Sequence, residues 1–237
     1  MLNFECDQGA DRLPVTVIGG ARGSGKSTLI NRLLKQAGSR WAVIINEDGE
    51  QTVANELCDL IAGQMVPHAV GCLCCVARSG LVDSLRRFYA QRSAGVIEFD
   101  RVLIETADDA DPAPVLQTLL NNALVTQYYR LDSNVVLVDA ARGLRAEHHV
   151  RKQIAMADRI VVNRTDLADT QALATLESGI ASLNAAAPTL RANYGLVAAD
   201  DLLGAGLFEA LRGAGAFEAW LAASVDAEQD AIASYCV

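Results

Sequence analysis

The sequence predicts an α/β fold, a mostly parallel twisted sheet with helices on both faces. Three observations carry this. Short, nearly continuous β-branched runs recur along the 237 residues, as strands covered on both faces should read. Helical spacing fills the intervals between them. A glycine-rich loop of the phosphate-binding type joins the first run to the first helical stretch. A chain that is 51% hydrophobic, 21% charged and 5% aromatic has material for one large core. That composition excludes a mainly disordered chain, a collagen-like repeat and a small disulfide scaffold.

Strands are read at Val15–Ile18, Ala42–Ile45, Val102–Ile104, Val135–Val138 and Ile160–Val162, with a weaker one at Thr189–Arg191. Leu81, Val82, Leu85, Phe88 and Tyr89 mark one helix face; Leu173, Leu176, Ile180 and Leu183 mark another. Asp111-Pro112 reads as a helix cap followed by proline in the first turn. A last helix is expected near Leu207–Ala222, closing a domain of residues 1–225, with 226–237 as an acidic polar tail.

Lys+Arg 20 against Asp+Glu 29 gives a net charge of −9, which opposes bulk binding to nucleic acid or to an anionic membrane. No apolar run is long enough to span a bilayer, and the first residues carry acids where a signal peptide needs a basic flank. A cytoplasmic location is expected. Of six cysteines, Cys72, Cys74 and Cys75 crowd into four positions, a spacing that suits metal or redox chemistry better than a disulfide framework.

The phosphate loop runs Gly20-Ala-Arg-Gly-Ser-Gly-Lys26-Ser27 and matches GxxxxGK[ST] between a strand and a helix. Gly20, Arg22, Gly23, Ser24, Gly25 and Thr28 are read as nucleotide-binding with Lys26 and Ser27. Backbone N–H groups cradle phosphate, Lys26 supplies a cation to the β- and γ-phosphates, and the Ser27 hydroxyl would ligate Mg²⁺. Asn163-Arg-Thr-Asp166 follows the fifth run and resembles the guanine-reading NKxD motif. The Asp166 carboxylate can accept both the N1–H and the N2 amino group of guanine, Asn163 would brace the loop, and Arg164 could lie over the base. The competing reading makes Asp166 the cap of the next helix. Glu105 ends the Val102–Ile104 strand, where a carboxylate acts on Mg²⁺ directly or through water; the competing reading is a structural salt bridge. Lys26 and Glu105 are the candidate catalytic residues.

Gly71-Cys72-Leu-Cys74-Cys75 offers soft thiolate ligands for Zn²⁺, Cu(I) or, with mixed ligands, Co²⁺, and leaves a fourth position open. Glu47, Cys58, His68 or a cysteine from another subunit could complete it. His148-His149 reads as a solvated loop pair.

In order along the chain, the phosphate loop, Asn46-Glu-Asp-Gly-Glu50, the CxCC motif, Glu105-Thr to Asp111-Pro112 and Asn163–Asp166 resemble the CobW-like GTPases. The resemblance runs from about residue 13 to 204 and includes Arg130-Leu-Asp132, Val138-Asp139 and Ala157-Asp-Arg159. It implies a GTP-hydrolysing metallochaperone, in which GTP and Mg²⁺ organise a site for Zn²⁺ or Co²⁺ and hydrolysis releases the metal to a client metalloprotein. It also implies metal ligation by Cys72, Cys74 and Cys75, places Glu47 and Glu50 in the NEFGE motif, and allows a homodimer. Four residues depart from the pattern. Asp108 replaces a glycine expected to meet the γ-phosphate, Asp48 replaces phenylalanine, Arg22 replaces an apolar residue and Arg164 replaces lysine. The family's C-terminal domain is expected to be absent. GTP binding is expected to survive these changes better than fast hydrolysis. A second reading is therefore a non-hydrolysing regulatory module that holds nucleotide and metal.

Overall fold

The computed structural model describes residues 12–35, 40–46, 56–61, 64–69, 78–108, 110–144 and 148–204. The expected strands are β1 (Leu13–Gly20), β2 (Trp41–Asn46), β5 (Arg101–Glu105), β6 (Tyr129–Asp139), β7 (Arg159–Asn163) and β8 (Thr189–Ala192). Between β2 and β5 lies a hairpin that apolar runs did not reveal, β3 (Glu56–Ile61) and β4 (Gln64–Ala69). Together they form one eight-stranded sheet in the order β4-β3-β2-β5-β1-β6-β7-β8. Pairing is parallel from β2 through β8 and antiparallel for β2–β3 and β3–β4. Pro67 lies in the edge strand β4, where a missing N–H interrupts no interior ladder.

The helices are α1 (Lys26–Leu34), α2 (Arg78–Ser93), α3 (Ala113–Asn121), α4 (Ala123–Thr126), α5 (His148–Ala155), α6 (Thr170–Leu183) and α7 (Ala199–Leu202). They cover both faces of the sheet. Val15 and Val17 of β1 face Leu81, Leu85 and Phe88 of α2 and Val115 and Leu119 of α3. On the same face, Val136 and Val138 of β6 meet Ile154 of α5 and Leu173, Leu176 and Ile180 of α6. The opposite face packs Ile18, Leu103, Val135 and Leu137 against Leu29, Ile30 and Leu33 of α1. The two predicted helix faces are the ones buried, with Tyr89 and Leu183 partly covered. Asp111 Oδ1 accepts the Ala113 N–H at 2.9 Å just before α3, while the cap itself falls on Pro112, one residue later than predicted.

A bulge in β6 keeps this layering consistent. The pairing passes from Val15↔Leu131 to Thr16↔Ser133 and skips Asp132. One extra residue reverses the inside–outside alternation, so odd-numbered Tyr129 and Leu131 share a face with even-numbered Val136 and Val138. One expectation is corrected: His148 and His149 open helix α5 instead of lying in a loop. The cause is the helical spacing of Val150, Gln153 and Ile154, which buries one side of the segment. Among the described residues no helix is long and apolar enough to cross a membrane. The expected Leu207–Ala222 helix and acidic tail lie outside the described residues.

Candidate functional site

The site forms at the carboxyl ends of β1, β5, β6 and β7. Here the chain leaves β1 towards α1 on one face and leaves β5 towards α3 on the other, a divergence that opens a crevice for ligand in α/β sheets. The phosphate loop spans it. Gly20, at φ 139°, has no room for a side chain: an added Cβ would stand 2.5 Å from Leu137 O and 2.8 Å from Ser24 Oγ. Gly25, at φ 105°, is equally constrained, because a Cβ there would meet Asn163 Nδ2 at 2.3 Å. Both glycines are therefore fixed by positive φ and close approach.

Lys26 opens α1 and is 5% exposed. Its ammonium donates to Gly20 O at 2.9 Å, to Ala21 O at 3.4 Å and to Asp108 Oδ1 at 2.5 Å. Ser27 Oγ donates to Glu105 Oε1 at 3.0 Å. The hydroxyl and carboxylate assigned to one cation are thus adjacent although 78 residues apart in sequence. Ser24 is fully buried in the loop, whereas Arg22, Gly23, Ser27 and Thr28 are exposed at its mouth.

The second half of the site is tied to the first. Asn163, 2% exposed at the end of β7, donates through Nδ2 to Ser24 O at 2.9 Å and accepts the Gly195 N–H at 3.1 Å. The predicted bracing role of Asn163 takes this form. Arg164 adopts the left-handed conformation, φ 59° and ψ 39°, and its guanidinium pairs with Asp139 Oδ2 at 2.9 Å. Asp166 is exposed in a short 3₁₀ turn, Thr165–Leu167. It does not cap the following helix: Asp169 does, accepting the Ala172 N–H at 2.7 Å. That geometry removes the competing capping reading of Asp166.

Three further residues, Asn193, Arg142 and Gln153, shape the site without announcing themselves in the sequence, and Asp139 of the Val138-Asp139 motif joins them. Asn193 Oδ1 accepts the Thr165 hydroxyl at 2.8 Å and the Asp166 N–H at 3.0 Å, fixing the turn that presents the Asp166 carboxylate. Asp139, 5% exposed, accepts the Ala141 N–H at 3.0 Å and lies 3.6 Å from Arg142 Nε. Arg142 in turn donates to Arg22 O at 2.6 Å, bracing the exposed tip of the phosphate loop. Gln153 of α5 donates to Ala110 O at 2.9 Å and to Asp108 O at 3.4 Å. Single polar residues at strand ends or in helices have no spacing signature; only tertiary contact reveals them.

Cys72, Cys74, Cys75, Glu47 and Glu50 lie outside the described residues, as does Asp48. The backbone register sets Cys58 opposite Pro67 and His68 opposite Leu57 in the β3–β4 hairpin. Among the described residues no group of three or more His, Cys, Asp or Glu side chains is placed to hold a metal ion.

Residues 14–191 match the model of the family described as CobW/HypB/UreG, nucleotide-binding domain. The chain is 35% identical over 187 residues to the zinc chaperone YjiA of Escherichia coli, covering 77% of this chain and 58% of that protein. It is 30% identical over 233 residues to the zinc chaperone CobW of Pseudomonas aeruginosa, covering 81% of this chain and 60% of that one. With the zinc-regulated GTPase metalloprotein activator 1 of Schizosaccharomyces pombe it shares 29% identity over 200 residues, 80% of this chain and 48% of the relative. The chain therefore spans less than two thirds of the length of each. The crystal structure of Zn(II)-bound YjiA GTPase from E. coli superposes with a TM-score of 0.65 at 28% identity, over 82% of this chain and 62% of that one.

Proposed function

This chain belongs to the CobW/HypB/UreG nucleotide-binding family, and from that premise we propose that it binds GTP, hydrolyses it slowly, and couples nucleotide state to the binding and delivery of zinc. The observation that carries the nucleotide half is the joining of the two motifs by Asn163. One buried amide holds the phosphate loop through Ser24 O and the Asn193–Gly195 turn through Gly195 N. Phosphate cradle and guanine-reading loop are thereby fixed relative to each other, as a site for a whole nucleotide requires.

The residues divide the work. Loop N–H groups and Lys26 hold the β- and γ-phosphates, and Asp166 accepts hydrogen bonds from the guanine edge. Arg164, drawn towards Asp139 by its guanidinium, leaves its stem to line the base site. The Ser27 hydroxyl and Glu105 carboxylate, 3.0 Å apart, are the hard oxygen donors that fit Mg²⁺ and would hold it at the loop mouth. Bound there, Mg²⁺ would neutralise charge on the phosphates. Lys26 stabilises the charge that builds as water attacks the γ-phosphate in line with the departing β-phosphate oxygen.

Zinc is supported by the likeness to the zinc chaperones YjiA and CobW and by the Cys72-Leu-Cys74-Cys75 thiolates, which suit Zn²⁺ and also accept Co²⁺. The delivered metal passes to a client metalloprotein, and a homodimer could complete the ligand set. The Asp108 contact with Lys26 favours the slow end of the range, with a non-hydrolysing module as its limit. Zinc affinity measured with a non-hydrolysable GTP analogue and with GDP tests the coupling. Affinities that differ between the two nucleotides and collapse in Cys74→Ser support the proposal. Equal affinities overturn it, because a ligand that does not discriminate between states shifts nothing.

A further inference from the structure

Asp108 places a carboxylate on the cation that a terminal phosphate needs. Its Oδ1 lies 2.5 Å from Lys26 Nζ, and its Oδ2 lies 4.0 Å from Arg22 Nε. The carboxylate is 29% exposed, while Lys26 is almost fully enclosed. Its backbone is held independently of the charge pair. The Thr106 N–H donates to Ile18 O at 3.0 Å just before it. Just after it, buried Gln153 donates to Ala110 O, and Lys152 Nζ pairs with Asp111 Oδ2 at 2.8 Å. The loop thus presents the acid at the mouth of the phosphate loop by fixed contacts on both sides.

We propose that Asp108 is a specificity-determining residue, a tethered counter-anion that biases the site towards nucleoside diphosphate over triphosphate. The inference rests on the guanine-nucleotide reading above. A β-phosphate held by the loop N–H groups can share Lys26 with Asp108. A γ-phosphate brings further negative charge to the same ammonium and meets the carboxylate as a like charge. Triphosphate therefore binds only by displacing Asp108, which shifts the segment leading to α3 against α5. Arg22, exposed beside Asp108, is released to the terminal phosphate by the same displacement.

The test is the pair of equilibrium affinities of the full chain for GDP and for a non-hydrolysable GTP analogue, both with Mg²⁺. Wild type is compared with Asp108→Asn, which keeps shape and loses charge, and with Asp108→Gly. The expected result is analogue affinity raised about tenfold or more in Asp108→Asn, with GDP affinity changed by less than about threefold. Asp108→Glu should retain the wild-type preference. If GDP binds normally and the ratio does not move, or both nucleotides tighten equally, this inference is overturned and the guanine reading stands. Binding of neither nucleotide by the wild type overturns both. Should Asp108→Gly fail to fold, the Asn variant decides alone.

Discussion

Charge is buried at both ends of the parallel sheet, but with different partners. Towards the amino ends, Asp132 is 1% exposed and both of its oxygens are engaged. Arg101 and the Gly204 N–H meet Oδ2, and Arg130 meets Oδ1 at 3.1 Å. Arg101 also donates to Thr16 Oγ1 at 3.0 Å, so the cluster ties β5, β1 and β6 together. At the carboxyl ends, Lys26 is just as enclosed, yet its acidic partner sits at the mouth of a loop and is reachable by solvent. A charge held by several protein partners at once fixes a fold; a charge whose acidic partner is reachable by solvent at a loop mouth can exchange it for a ligand. The difference predicts that substitutions at the two ends fail in different assays.

The largest effect is expected for Lys26→Ala. Turnover of GTP should fall about a thousandfold or more, since electrostatic stabilisation of the transferring phosphoryl group is lost. Secondary structure by circular dichroism should be unchanged. Asp132→Ala should show the opposite pattern. Two arginines and an amide lose their buried acceptor, at a cost of about 3–5 kcal/mol in denaturant unfolding. Nucleotide affinity of the folded fraction should stay at the wild-type value, and a selective loss of affinity at full stability would break the comparison.

Asn163→Ala should fall between the two. It frees Ser24 O and the Gly195 N–H together and should cost about 1–3 kcal/mol in nucleotide binding with a smaller loss of stability. Isothermal titration beside a thermal melt separates the terms. The smallest effect concerns Asp158, whose pKa burial raises to about 6 despite the Asn134 N–H it accepts at 2.7 Å. The folded protein therefore binds this proton more tightly than the unfolded chain. Its contribution to stability falls as pH rises between about 4 and 6. Asp158→Asn should flatten that segment of the pH–stability curve, as thermal melts taken from pH 4 to pH 8 would read.

The same contrast explains what was legible in the sequence. Strands covered on both faces declare themselves as continuous apolar runs, so five of the six parallel strands are readable in this way, whereas the edge strand β8, largely exposed, leaves only a weak signal at Thr189–Arg191. The β3–β4 hairpin was not, because Asp59 and Pro67 interrupt its apolar residues and its edge position requires no uniform pattern. At the candidate site, the phosphate loop and Asn163–Asp166 are legible because a nucleotide held there would impose fixed spacing on them. Arg142, Gln153 and Asn193 act through isolated tertiary contacts, which leave no periodic trace. The β6 bulge at Asp132 was likewise hidden; it appears in sequence only as a change of parity between Leu131 and Val136.

The proposed role of the carboxyl end of the sheet is that of a guanine-specific nucleotide site. Steady-state hydrolysis of GTP and ATP by the full chain, with wild type beside Asp166→Ala, tests it most directly. A low GTP turnover is expected, with kcat/KM exceeding that for ATP by about a hundredfold or more and loss of that preference in the variant, because a site built around a base edge rejects the wrong one. Equal kcat/KM for GTP and ATP in the wild type, or a preference that survives Asp166→Ala, would contradict it.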